Sequence, residues 1–200
     1  MLPDTLLAAT MLFSLLFQSL AIATFTVCLI VHAGIHGAFA SFLGRNIQGL
    51  RRPSTSGACS GRFPGSSYLR AAANGNDITE SGWPSYYASF MGFFMAYLGS
   101  LTIIYKDELA ASPQRSAATN GGLVVAAIVL TMCIVYRLSS GCDDILGVLV
   151  GIATGGILGF TLVNLLAYGS NRSLTNVLAL PLLTSTAADG KPIYVCAPTK

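Results

Sequence analysis

"DDILGVLVGIATGGILGFTLVNLLAY", residues 143 to 168, opens on an aspartate pair and runs uncharged from Ile145 to Tyr168. At 1.5 Å per residue, an uninterrupted helix over that run crosses the roughly 30 Å hydrocarbon core of a bilayer. Its glycines at 147, 151, 155 and 159 stand four apart. A step of four puts them in one stripe on one helix face, where missing side chains let a second backbone approach closely. The stretch therefore predicts a membrane-spanning helix with Gly147, Gly151, Gly155 and Gly159 pressed against a neighbour.

Three further stretches meet the same criteria of length and apolarity, at about 7–32, 87–105 and 121–138, with the fourth at 145–168. The composition agrees: of 200 residues 53% are hydrophobic and only 10% charged, whereas roughly 25% charge is usual for a soluble domain. Mean hydropathy is +0.65. The expectation is an all-α integral membrane protein, a bundle of about four transmembrane helices forming a single domain over residues 1–200. The first apolar run, Leu6 to about Leu43, exceeds a signal-peptide core of roughly 7–15 residues and has no basic segment before it. It reads as an uncleaved first span that continues as helix towards Leu43.

Between the first and second spans lies a long surface loop, 44–86, which includes "RRPSTSGACSGRFPGSSYLRAAANGNDITESGW" and is rich in Gly, Ser and Pro. Such a composition predicts irregular structure. The connection "KDELAASPQRSAATN", 106–120, is short and polar, and its Lys-Asp-Glu-Leu is internal, where it cannot serve as a retention signal. The tail, 169–200, holds the brief apolar stretch "VLALPLL" interrupted by Pro181. Too short to span, it reads as interfacial or re-entrant.

Net charge is +3, and five of the 11 basic residues, Arg45, Arg51, Arg52, Arg62 and Arg70, fall in the first loop region. Arginines beside a span suit anionic lipid or a phosphate group; no fold signature or aromatic-basic stripe points to nucleic acid. Divided by side, six basic residues (those five and Arg137) face five (Lys106, Arg115, Arg172, Lys191 and Lys200). By the positive-inside rule the loop side reads as cytoplasmic or matrix-like.

The five cysteines, Cys28, Cys59, Cys133, Cys142 and Cys196, show no Cys-x-x-Cys or Cys/His metal spacing. Neither a disulfide framework nor a metal is expected from them. His32 and His36 share a helix face at i and i+4, a spacing that two metal ligands can use. With no further ligand in the sequence, bonding to headgroups or to a neighbouring helix is the expectation for both.

Four spans bring the end of the first, the start of the second and the end of the third to one side of the membrane. Each position carries a polar group: "RNIQGLRRP" at 45–53, "WPSYY" at 83–87 and "YRLSSGCDD" at 136–144. Pro84 and Ser85 read as a helix start, since Pro is tolerated in the first turn, and Tyr86 and Tyr87 suit the interfacial aromatic belt. Asp143, beside Asp144, reads as a helix N-cap for the fourth span.

These three elements, in this order, resemble the type 2 phosphatidic acid phosphatase superfamily, especially its dolichyl-diphosphatase branch, with motifs K-x6-R-P, P-S-[GS]-H and S-R-x5-H-x3-D. Arg45 followed by Arg52-Pro53 resembles the first motif with Arg for Lys; Pro84-Ser85-Tyr86-Tyr87 resembles the second with Tyr87 for His. Tyr136-Arg137 resembles the third, with Asp143 in the place of the nucleophilic His and Gly147 in that of the Asp. The resemblance covers about 40–160, and the chain departs from the family in having fewer spans before the first motif.

The resemblance implies a phosphate cradle of Arg45, Arg52 and Arg137 beside Ser85, since guanidinium groups present fixed donor forks to phosphate. It implies no working catalytic pair. Tyrosine, with an ordinary pKa of about 10, is a poor proton donor at neutral pH compared with histidine. If the protein is active, Asp143 is the candidate nucleophile and Tyr87 the group near the leaving oxygen. The expected function is that of a pseudoenzyme: a non-catalytic, lipid-binding accessory subunit of a multi-subunit membrane complex, with other membrane-protein subunits and membrane lipids as partners. A bound phospholipid such as cardiolipin is the one ligand expected, with no metal, and the mitochondrial inner membrane or endoplasmic reticulum as the location. The alternatives are an active phosphatase on a lipid phosphate or polyprenyl diphosphate, and a small channel or transporter component. Few ionisable residues lie within the spans, which disfavours the last.

Overall fold

The computed structural model describes residues 2–46, 83–110, 113–168 and 172–178. They form α1 (Leu2–Phe17), α2 (Leu20–Asn46), α3 (Tyr86–Ile104), α4 (Lys106–Ala110), α5 (Pro113–Ser139), α6 (Ile145–Tyr168) and a single 3-10 turn (Arg172–Thr175). No strand occurs among the described residues. Four segments are long and apolar enough to cross a membrane: Leu20–Leu43, Tyr86–Ile104, Pro113–Ser139 and Ile145–Tyr168. The chain is an all-α membrane bundle of four such helices.

The first span is not 7–32. The chain breaks at Gln18, which takes φ 48°, and Ser19 starts α2, its hydroxyl accepting from Ile22 N at 3.4 Å and its carbonyl from Ala23 N at 3.0 Å. A continuous helix over the apolar run Leu6–Leu43 would be about 57 Å long, nearly twice the bilayer core. The break instead lets α1 fold back, placing Leu6 and Leu7 against the core that contains Phe25 and Leu29. The third span also starts earlier than 121: α5 begins at Pro113, where a missing N–H costs nothing because a first-turn donor has no intrahelical acceptor. Much of the polar connection after Lys106 is thus helical, in α4 and the first turns of α5.

The centre of the bundle is the α3–α6 pair. A Cβ added at Gly151 would lie 2.6 Å from the Ser85 carbonyl oxygen; at Gly155 it would fall on the Ser89 carbonyl and at Gly159 on that of Phe93. Gly92 of α3 meets the Ile152 carbonyl in return. The matched positions rise together, Ser85 with Gly151, Ser89 with Gly155 and Phe93 with Gly159, so the two helices run parallel. Backbones this close gain dispersion contacts that lipid chains cannot supply.

On its other face α3 receives α2 running antiparallel. Phe25 packs on Tyr97 with ring centroids 5.0 Å apart, and His32 on Phe93 at 4.8 Å. Phe93, Tyr97, Leu101 and Tyr105 are fully buried in the resulting core. α5 stays outside, with Leu130 its one buried described residue. After α6 the chain doubles back: Thr175 is fully buried and its hydroxyl bonds that of Tyr105. Val177 and Leu178 pack against the core; the rest of "VLALPLL" lies outside the described residues.

Candidate functional site

The polar groups singled out in the sequence lie around the N-terminus of α3. Ser85 caps this helix, its side chain accepting from Ala88 N at 3.3 Å, and it is buried, 2% exposed. Its own N–H donates to the Gly147 carbonyl at 3.0 Å, which ties the cap to the first turn of α6. That bond requires close approach, and Gly147 provides it: a side chain there would meet the Trp83 ring and the Asp144 carboxylate.

The turn from α5 to α6 is set by a Schellman motif. Gly141 takes φ 68°, Cys142 N donates to Arg137 O at 2.9 Å and Gly141 N to Leu138 O at 3.1 Å. The reversal carries Asp143 back over the last turn of α5. Arg137 Nε then donates to Asp143 Oδ2 at 2.6 Å and Nη2 to Oδ1 at 3.4 Å. The pair is mostly covered, with side-chain exposures of 18% and 11%. The cap of α6 is Asp144, whose Oδ1 accepts from Gly147 N at 3.2 Å. This corrects the expectation for Asp143: of two adjacent carboxylates, the first turns to Arg137 and the second to the helix end.

Arg137 is also covered from α3. Its Cζ lies 3.9 Å from the ring centroid of Tyr87, in cation–π range. Tyr86 faces the opposite way, towards α2, with its ring 5.2 Å from His36 and 6.0 Å from His32. His32 Nε2 is 2.9 Å from Ser89 Oγ, and His32 Nδ1 has no partner. That pattern fits the tautomer in which Nε2–H donates to Ser89 and Nδ1 carries the lone pair. Of the two expectations for these histidines, headgroups or a neighbouring helix, His32 meets the second, and both rings are buried one helical turn into the polar end. The i, i+4 spacing was visible, but the facing Ser89 and Tyr86 belong to another helix and leave no local signal.

Of the three arginines of the expected cradle, Arg137 is described in full. Arg45 stands in the last turn of α2 with its side chain outside the described residues, as is the whole of Arg52. Among the described residues no group of three or more His, Cys, Asp or Glu side chains is placed to hold a metal. The expectation of no disulfide is overturned: Cys142 is disulfide-bonded, while Cys28 and Cys133 are free thiols. Its partner lies outside the described residues. Pairing follows from which sulfurs the fold brings together, which sequence spacing does not record.

Chemically, the described groups at this end are committed to one another. Asp143 engages Arg137 through both oxygens, Ser85 and Asp144 cap helices, and Tyr87 covers the guanidinium. The chain matches no family profile, no curated protein and no solved structure.

Proposed function

We propose that this chain is a non-catalytic, phosphatase-like membrane protein, a structural or accessory subunit of a larger membrane complex whose polar end takes a phospholipid phosphate without cleaving it. The observation that carries the reading is the Arg137–Asp143 pair. A carboxylate nucleophile must offer an oxygen lone pair to phosphorus, and the Asp143 oxygens face the Arg137 guanidinium at 2.6 and 3.4 Å. A phosphate approaching Arg137 competes with that carboxylate instead of being attacked by it. Tyr87, in the position of the family's proton donor, lays its ring face against the same guanidinium. The accessory role is supported by α5, whose Val124, Val125, Ile128, Met132 and Val135 are exposed apolar side chains that lipid or neighbouring subunits must cover.

The test is phosphate release by the purified protein from phosphatidic acid and from a polyprenyl diphosphate in mixed micelles. No release above the protein-free control is expected. Release that disappears in Asp143→Asn would overturn the reading in favour of an active phosphatase. Gently solubilised native membrane should also show the chain migrating with a larger assembly; a stable monomer there removes the accessory role.

A further inference from the structure

We infer that the groove between α3 and α5 holds one acyl chain of a glycerophospholipid, with the lipid phosphate at Lys106. The groove is lined on α3 by Phe94, Leu98 and Thr102 and on α5 by Ala118, Gly122 and Ala126. Each set steps by four, so it forms one line along its helix, and both lines belong to membrane-spanning segments. Small side chains on α5 leave the space open: a Cβ added at Gly122 would meet nothing within 4 Å. The lining presents no charge. Its polar side chains are Thr102 and Thr119, and the Thr102 hydroxyl already donates to the Gly99 carbonyl at 2.7 Å.

Size selects the occupant. The groove encloses about 260 Å³, and eight residues of helical rise, Phe94 to Thr102 or Ala118 to Ala126, give it a length of about 12 Å. A helix with its side chains is about 10–12 Å across and would occupy roughly 1,000 Å³ over that length, so a partner span is several times too large to enter. The same volume takes roughly nine groups of about 30 Å³, the share of one molecule in liquid water and the scale of a methylene. A single hydrocarbon chain is what fits. The length agrees as well, since one leaflet contributes roughly 15 Å of the hydrocarbon core.

Position identifies the rest of the lipid. The groove begins at the middle of α3 and opens at the end opposite Arg137, where the line Phe94, Leu98, Thr102 continues by the same step to Lys106. Helical hydrogen bonding crosses the α3–α4 junction, with Tyr105 N donating to Leu101 O and Leu109 N to Tyr105 O, so the step keeps its direction. Lys106 is exposed. A lysine at a span end lays its methylenes along apolar surface and sets its ammonium at headgroup level, where an anionic phosphate attracts it. Asp107 and Glu108 follow at about 100° and 200° around the helix, away from this line. The site therefore differs from the polar end at Arg137 in both leaflet and cation. Because Leu130 is the one buried described residue of α5, a chain in the groove adds dispersion contacts between α3 and α5 that the two helices do not make directly.

The experiment uses the full chain in vesicles containing a phosphatidylglycerol that carries a diazirine midway along one acyl chain. After irradiation, peptide mapping by mass counts the adducts. Adducts on Phe94, Leu98 and Leu123 should exceed several-fold those on Leu149 and Ile157, exposed apolar residues of α6. Gly122→Leu puts a larger side chain into open space, so the fold is kept, and should lower the groove adducts about tenfold with those on α6 unchanged. Groove adducts no more frequent than those on α6 overturn the inference, whether ordinary bilayer, the chain that follows Leu178 or a second copy fills the space. Lys106→Gln tests the headgroup. It should lower the groove yield from the phosphatidylglycerol probe and leave that from an uncharged diazirine diacylglycerol unchanged; equal phosphatidylglycerol yields from the variant and the native chain overturn the assignment of the phosphate to Lys106. Neither arm involves Arg137, so the phosphate reading above stands or falls independently.

Discussion

Arg137 and Asp143 are six residues apart, yet Arg137 Nε lies 2.6 Å from an Asp143 oxygen. The left-handed Gly141 between them makes this possible by closing α5 and reversing the chain. In Asp143→Asn the guanidinium loses its countercharge while remaining covered by Tyr87. Removing one partner of a fully buried pair costs about 3–5 kcal/mol, and an exposed pair is worth about 0–1 kcal/mol. At exposures of 18% and 11%, the expected loss lies between, about 1–2 kcal/mol. Reversible unfolding in detergent measures it; an unchanged midpoint would show that the pair contributes nothing to holding the turn.

The α3–α6 contact predicts a sharp contrast between glycines. Gly155→Ala puts a methyl group onto the Ser89 carbonyl, which is backbone and cannot swing away. The helices must separate, at a cost of about 1–3 kcal/mol from overpacking. Gly99→Ala, in α3, has nothing within 4 Å of the added atom and should gain up to about 1 kcal/mol in helix propensity. Unfolding midpoints of the two variants measured side by side should move in opposite directions.

What the sequence discloses here depends on whether a signal is local. The stripe of Gly147, Gly151, Gly155 and Gly159 repeats within one helix, so its burial against a neighbour can be expected from spacing alone. Which backbone it meets, Ser85 to Phe93 of α3, cannot. Gln18 and Ser19 are two polar residues inside a long apolar run, too few to change its hydropathy, yet they divide it into α1 and α2. Asp143 and Asp144 are chemically the same and adjacent; their different roles follow from where the Schellman turn aims each carboxylate. The disulfide at Cys142 is the extreme case, since no spacing announces it.

The Ser89–His32 bond joins α2 to α3 between two fully buried side chains. Ser89→Ala leaves the His32 Nε2–H without an acceptor, and His32 is fully buried. An unsatisfied buried donor costs about 1–3 kcal/mol. His32→Leu introduced with Ser89→Ala removes the donor as well as the acceptor and should recover most of that loss. If the double variant is instead as unstable as the sum of the two single variants, the histidine stabilises α2 by packing rather than through this bond.

Gln18 holds φ 48°, a left-handed conformation that costs a residue with a Cβ about 1–2 kcal/mol. Glycine adopts it without that penalty but loses more chain entropy on folding, by about 0.5–1 kcal/mol. The difference leaves Gln18→Gly more stable than the native chain by about 0.5–1 kcal/mol. Gln18→Val should be destabilised, because a β-branched side chain crowds the same backbone further. A continuous helix predicts the reverse order: glycine in a helix interior is destabilising, and valine there costs less. Unfolding of the two variants in the same detergent therefore decides whether α1 and α2 are two helices joined by a turn, as found here, or one.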